Sequence, residues 1–146
     1  MLKILVIHGP NLNLLGKRQP EIYGRFSIKQ INDALRKMAK EKRVKLDIIQ
    51  TNHEGEIIGI IGEAKKRFDG LIINPAAYTH TSVAIRDALE AVKIPAVEVH
   101  LSNIYAREDF RHKSLVAPVV VGQITGFGPR SYLLALEAII YLIQQK

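Results

Sequence analysis

Proton-transfer chemistry needs a base, an acid of near-neutral pKa, and donors that stabilise the charge developing between them. The run from His8 to Gly24, HGPNLNLLGKRQPEIYG, holds candidates for part of that set. Asn11, Arg18 and Tyr23 sit there among glycines and prolines, directly after a short apolar stretch. Tyr23 reads either as the aromatic anchor of its loop or as a base. A tyrosine base is demanding, because ionising a phenol of pKa about 10 at pH 7 costs roughly 4 kcal/mol. Burial raises that cost, and only nearby cations lower it. Loop arginines are available: Arg18, and Arg107 with Arg111 in NIYAREDFRHKS. On a helical turn the last two would share a face, as part of a site or as a solvated surface. Elsewhere, valines at 97 and 99 alternate with Glu98 and His100. Two polar residues on one face of a central strand are costly to bury. They form either a satisfied core pair or a site histidine with its carboxylate.

Other chemistries find less support. His8, His53, His80, His100 and His112 form no His-x-His or His-Glu-x-x-His pair, so no metal site is expected. Ser102 follows His100, but there is no Gly-x-Ser-x-Gly elbow for a nucleophilic triad. No Walker lysine motif occurs. Gly122, Gly126 and Gly128 do not form a dinucleotide fingerprint after the first strand and read instead as a turn before the last helix.

These residues need a scaffold, and the apolar pattern supplies one. Strands are predicted at 2–7, 44–50, 70–74, from Pro95 or Ala96 to Leu101, and at 118–121. Helical stripes separate them. Ser27 opens the first helix with Gln30 as a capping-box partner. Ile28, Ile31, Leu35 and Met38 then lie on one face. The second helix is expected over 54–68. The third is capped by Thr81 or Ser82 and runs to Val92. The last covers about 129–144, with Leu133, Leu136, Ile140 and Ile143 inward. Leu134, Ala138 and Tyr141 leave that stripe, implying a wide core face or burial in an oligomer. Strands alternating with helices imply an α/β fold: a flavodoxin-like, doubly wound, five-stranded parallel sheet of order 2-1-3-4-5. Ligands bind beyond the carboxyl ends of such strands. His8, Gly9, Asn11, Asn74, Tyr78, His80, Glu98 and His100 all belong at or near that edge.

The chain has 146 residues, the size of one domain, and no linker or repeat divides residues 1–146. It has 47% hydrophobic and 24% charged residues, a globular balance. No apolar run is long enough for a membrane span, and the apolar start is too short for a signal-peptide core. Cysteine is absent, which removes disulfides and thiolate metal sites; a cytoplasmic protein is the simplest expectation. The net charge of +7 invites a nucleic-acid reading. Many of the cations, however, lie on solvated helix faces, and a basic field equally suits a small anionic substrate. A nucleotide- or flavin-binding module lacks its phosphate-cradling loop. No nucleic acid or membrane partner is expected.

Three motifs carry a resemblance that covers nearly the whole chain: GPNLNLLGKRQPEIYG, FDGLIINPAAYTHTSVAIRDAL and PAVEVHLSNIYAREDFRHKS. The sequence closely resembles type II 3-dehydroquinate dehydratases, hydro-lyases of the shikimate pathway of aromatic amino acid and chorismate biosynthesis. The resemblance implies reversible dehydration of 3-dehydroquinate to 3-dehydroshikimate through an enolate, without cofactor or metal. It implies Tyr23 as base, His100 as general acid, Arg18 as support for the ionised tyrosine and Asn11 at the enolate oxygen. Glu98 and Arg107 match groups that orient acid and base. Asn74, His80 and Arg111 match binders of substrate hydroxyls, and Leu101 and Ser102 match a carboxylate grip. Asp87 matches an aspartate that reaches a neighbouring subunit's site. A homododecamer, a tetramer of trimers, is the implied assembly. The Schiff-base route of the other dehydroquinase class is not expected, because Lys3 lies at the wrong end of strand 1.

Overall fold

The computed structural model describes residues 1–17, 19–23 and 25–145, with Tyr23 described in its backbone only. Five strands form the sheet: β1 (Lys3–His8), β2 (Lys45–Gln50), β3 (Gly70–Asn74), β4 (Ala96–His100) and β5 (Gly122–Thr125). All pairings are parallel, in the order β2-β1-β3-β4-β5. The helices are α1 (Pro20–Tyr23), α2 (Ile28–Lys42), α3 (Glu54–Ala64), α4 (Val83–Val92) and α5 (Arg130–Gln144).

The period-2 alternation of β1 explains the layering. Ile4 and Val6 pack with Ile31 and Leu35 of α2 and with Leu136 and Ile139 of α5. Leu5 and Ile7 point the other way, onto Ile57 and Ile61 of α3 and Ile85 and Leu89 of α4. Central strands β3 and β4 are buried throughout, whereas edge strands β2 and β5 are only partly covered. Apolar residues on both faces are what a helix-covered parallel sheet requires.

Local signals set several boundaries. The Ser27 side chain accepts from the Gln30 N–H while the Gln30 side chain accepts from the Ser27 N–H, the expected capping box. Of the two candidate caps for α4, Ser82 holds the position and accepts from the Ile85 N–H at 2.9 Å. Gly9 continues β1 and donates to the Asn74 carbonyl at 2.8 Å. A Cβ at Gly9 would lie 2.8 Å from that carbonyl oxygen, so this close approach requires glycine.

Three expectations need correction. The fifth strand is Gly122–Thr125, not 118–121. Pro118, which has no N–H to donate, sits in the 3-10 turn Ala117–Val119. That turn is tied by Ser114 Oγ, which accepts from the Val116 and Ala117 N–H groups. α3 stops at Ala64, and Arg67 and Phe68 donate back to the Ala64 carbonyl in a tight turn toward β3. The inward face of α5 centres on Tyr132, Ala135, Leu136, Ile139 and Ile140. Leu134 and Tyr141 are exposed, and Leu133 and Ile143 pack at the margin of the core.

Candidate active site

The strands' carboxyl ends open into a partly enclosed cleft. The loop after β1 supplies Asn11, which takes the left-handed conformation (φ 68°) that asparagine tolerates better than most residues. Its backbone N–H donates to Asn52 Oδ1 at 3.0 Å, tying this loop to the one after β2. β3 supplies Asn74, and the 3-10 turn Ala76–His80 that follows supplies His80. β4 supplies His100, followed by Leu101 and Ser102.

Arg107 and Arg111 also line the cleft, though not on one helical turn. Two separate 3-10 turns, Ile104–Ala106 and Asp109–Arg111, flank an extended Arg107. Arg107 Nη1 lies 3.5 Å from Ser102 Oγ, and Arg111 Nε donates to Glu108 at 3.1 Å. His112 donates from Nε2 to the Arg107 carbonyl at 2.8 Å, fixing the backbone between the turns.

Glu98 and His100 form a site pair. His100 Nε2 lies 2.5 Å from Glu98 Oε2, and both residues are buried. Two hydroxyls complete the carboxylate's shell: Thr79 donates to Oε2 at 2.5 Å, and Ser114 lies 2.9 Å from each oxygen. Burial alone would push the Glu98 carboxyl up. Hydrogen bonding and charge from His100, then the Thr79 and Ser114 hydroxyls, outweigh it and hold the group below the usual carboxylate range. An ionised Glu98 accepts the Nε2 proton and fixes the ring. Nδ1 is then the nitrogen available for proton exchange in the cleft.

His80 stacks near His100, with ring centroids 6.5 Å apart and planes 20° from parallel. Its Nδ1 donates to the Lys113 carbonyl at 2.9 Å, so a neutral ring presents Nε2 as an acceptor. Burial lowers its pKa first. The Lys113 hydrogen bond opposes this, and the His100 and Arg111 charges push further down against Glu98. Two histidines and two arginines therefore converge on the cleft, and its described lining contains no carboxylate.

The described structure thus brings Asn11, Asn74, His80, His100, Leu101, Ser102, Arg107 and Arg111 to one cleft, with Glu98 directly behind His100. Asp87 is not among them; it lies exposed on α4. Arg18 and the Tyr23 side chain lie outside the described residues. Sequence reasoning misses Thr79 and Ser114, which complete the Glu98 shell. Thr79 lies in the PAAYTHTS motif beside His80, and Ser114 ends the NIYAREDFRHKS motif; that proximity is the available signal. Among the described residues no cluster of acidic residues and histidines suits a metal ion, and no helix is long and apolar enough to cross a membrane.

A helix-covered parallel sheet with a buried carboxylate steering a histidine into a cationic cleft defines an α/β enzyme of acid–base type. The family model for class II dehydroquinases matches residues 2–140. The 3-dehydroquinate dehydratase of Acaryochloris marina is 59% identical over 141 residues, covering 97% of this chain and 95% of that protein. The enzyme of the same name from Halothermothrix orenii is 56% identical, with 99% and 98% covered. The crystal structure of type II dehydroquinase from Butyrivibrio crossotus superposes with a TM-score of 0.94 at 47% identity, covering 95% of this chain and 97% of that one. The chain belongs to the class II dehydroquinase family.

Proposed function

We propose that the chain is a type II 3-dehydroquinate dehydratase, a hydro-lyase of the shikimate pathway acting through an enolate, with one catalytic domain over residues 1–146. The observation that carries this reading is the buried Glu98–His100 pair at the wall of a cleft whose other charged groups are cations. The substrate proton lies beside a ketone, so its removal places negative charge on the ketone oxygen. Stabilising that charge with fixed donors is normally the largest catalytic contribution. Tyr23 is the base, with Arg18 as the cation that makes a phenolate accessible and Arg107 orienting that pair. Asn11 serves the enolate oxygen. His100, held at Nε2 by Glu98, gives its Nδ1 proton to the departing hydroxide, which leaves as water.

Asn74, His80 and Arg111 bind substrate hydroxyls, and neutral His80 suits this as an acceptor at Nε2. Leu101 and Ser102 hold the carboxylate, helped by the local positive field. Asp87, exposed on α4, contacts the site of a neighbouring subunit in a homododecamer built as a tetramer of trimers. The enzyme works in the cytoplasm, needs neither metal nor organic cofactor, and binds no nucleic acid.

An assay on the purified chain tests this reading. 3-Dehydroquinate should give the conjugated enone of 3-dehydroshikimate, and neither a chelator nor borohydride should reduce the rate. Absence of enone formation would refute the activity. Inactivation by borohydride in the presence of substrate would indicate a Schiff base instead.

A further inference from the structure

The cleft wall at Asn74 is backed by a chain of buried polar groups that the proposed reaction does not use. His8 and Asn74 are register partners at the ends of β1 and β3, and both are buried. Asn74 Oδ1 lies 3.0 Å from the Ala76 N–H, and its Nδ2 lies 3.0 Å from Tyr132 Oη. Tyr132 Oη lies 2.9 Å from His8 Nδ1, and His8 Nε2 lies 2.8 Å from Asn32 Oδ1. Tyr132 is fully buried in α5, and Asn32 lies on α2.

One backbone donor sets every orientation in this chain. The Ala76 N–H can only donate, so the amide atom facing it is the oxygen. The Asn74 nitrogen must then face Tyr132 and donate to it. The buried tyrosine hydroxyl's own proton then has one acceptor within reach among the described residues, His8 Nδ1. That nitrogen must be an unprotonated acceptor, which puts the histidine proton on Nε2, facing Asn32 Oδ1. Burial supports a neutral ring: it lowers the His8 pKa to about 4, against the opposing Asn32 hydrogen bond. Ala76 sits at φ 52°, an uncommon value for a residue with a Cβ, so the turn offering its N–H is itself held in a strained geometry.

We propose that Tyr132, His8 and Asn32 are positioning residues that lock the Asn74 amide with its oxygen toward Ala76, leaving its second N–H to donate to a substrate hydroxyl. The proposal rests on the reading that Asn74 binds substrate. A phenylalanine at 132 would fill the same space but remove the partner that Asn74 Nδ2 and His8 Nδ1 share. Held at its oxygen alone, the amide would lose its fixed tilt toward the cleft, and substrate binding would weaken more than turnover.

Steady-state kinetics and nitrogen NMR test this. Tyr132→Phe should raise KM for 3-dehydroquinate about fivefold to tenfold, with kcat changed by less than about twofold. Adding Tyr132→Phe to Asn74→Ala should cost nothing further, because both act through one amide. A Tyr132→Phe KM within about twofold of wild type, or additive losses in the double variant, would overturn the proposal. A second pair of variants serves if Tyr132→Phe folds poorly. His8→Asn keeps an acceptor near the Nδ1 position and should retain near-wild-type KM, whereas His8→Leu should match the predicted Tyr132→Phe value. Equal KM for the two His8 variants would count against the relay. Independently of turnover, nitrogen NMR of histidine-labelled protein at neutral pH should find His8 as the neutral Nε2–H tautomer. The Nδ1–H form or an imidazolium would overturn the relay. A wild-type chain that does not act on 3-dehydroquinate would refute the activity, leaving the tautomer result to decide the relay.

Discussion

Glu98 makes contact with three donors, His100, Thr79 and Ser114, and each can be removed separately. Glu98→Gln replaces one carboxylate oxygen with an amide that must face a donor. An unsatisfied buried donor costs about 1–3 kcal/mol, so kcat should fall by about tenfold to a hundredfold as His100 loses its orientation. Thr79→Val removes one hydroxyl and leaves the histidine contact, and its loss in kcat should be clearly smaller. Equal losses in the two variants would mean that Glu98 acts on overall packing rather than on the ring. At the other side of the proposed reaction, Arg18→Lys keeps a charge but loses the planar fork, and its activity should fall well below wild type. Circular dichroism would establish that these variants are folded. Glu98 and His100 could be read from sequence because charged residues are rare in a buried strand. Their partners could not. Thr79 and Ser114 lie in turns, and what distinguishes them is contact with a strand 19 and 16 residues away, which no local periodicity encodes.

Elements that fill the core were legible, and those defined by turns were less so. β1, β3, β4, α2 and α4 follow their apolar spacing and caps closely. β5 was displaced because the apolar run at 116–121 resembles a strand, while Pro118 and the Ser114 hydroxyl turn it into a 3-10 segment. α1, four residues long, has too few positions to show a period. On α5, Tyr132 belongs to the buried face, but an aromatic residue at a helical spacing reads as core; its hydroxyl contacts come from β1 and β3, 124 and 58 residues away. The junction of β1 with β3 gives a prediction at this scale. Gly9→Ala would press a methyl against the Asn74 and Pro75 backbone, and should destabilise the fold by about 1–3 kcal/mol. It should also damage activity, because the same strand ends carry Asn11 and Asn74. Ser27→Ala, which removes a cap that is not part of the cleft lining, should cost about 1 kcal/mol in urea unfolding without altering kcat. A Gly9→Ala protein with wild-type stability would contradict the close approach.

Across the whole molecule, the site joins segments that folding must bring together: a loop after β1, the ends of β3 and β4, and the turns beyond. Burying an uncharged histidine within this arrangement also gives stability a pH dependence. With a folded pKa of about 4 against an ordinary 6.5, His8 binds a proton more readily in the unfolded chain. Its contribution is therefore fully present above the unfolded value and is lost as pH falls toward 4. The loss across that window is about 3 kcal/mol. His80, also lowered, acts in the same direction. Glu98 loses its contribution only at lower pH, below the ordinary carboxylate pKa. Urea midpoints should thus fall from pH 7 to pH 4.5, and His8→Asn should flatten most of that slope; an unchanged slope would mean that His8 is not the buried neutral base described here. The central proposal concerns division of labour: a base at the end of α1 removes the proton and a strand histidine, almost eighty residues later, releases the water. Deuterium incorporation into recovered 3-dehydroquinate, measured by NMR in heavy water beside product formation, separates the two steps. His100→Ala should still exchange the acidic proton faster than buffer alone while making almost no enone, and Tyr23→Phe should do neither. Enone formation at a near-wild-type rate by His100→Ala, or enzyme-dependent exchange by Tyr23→Phe, would contradict it.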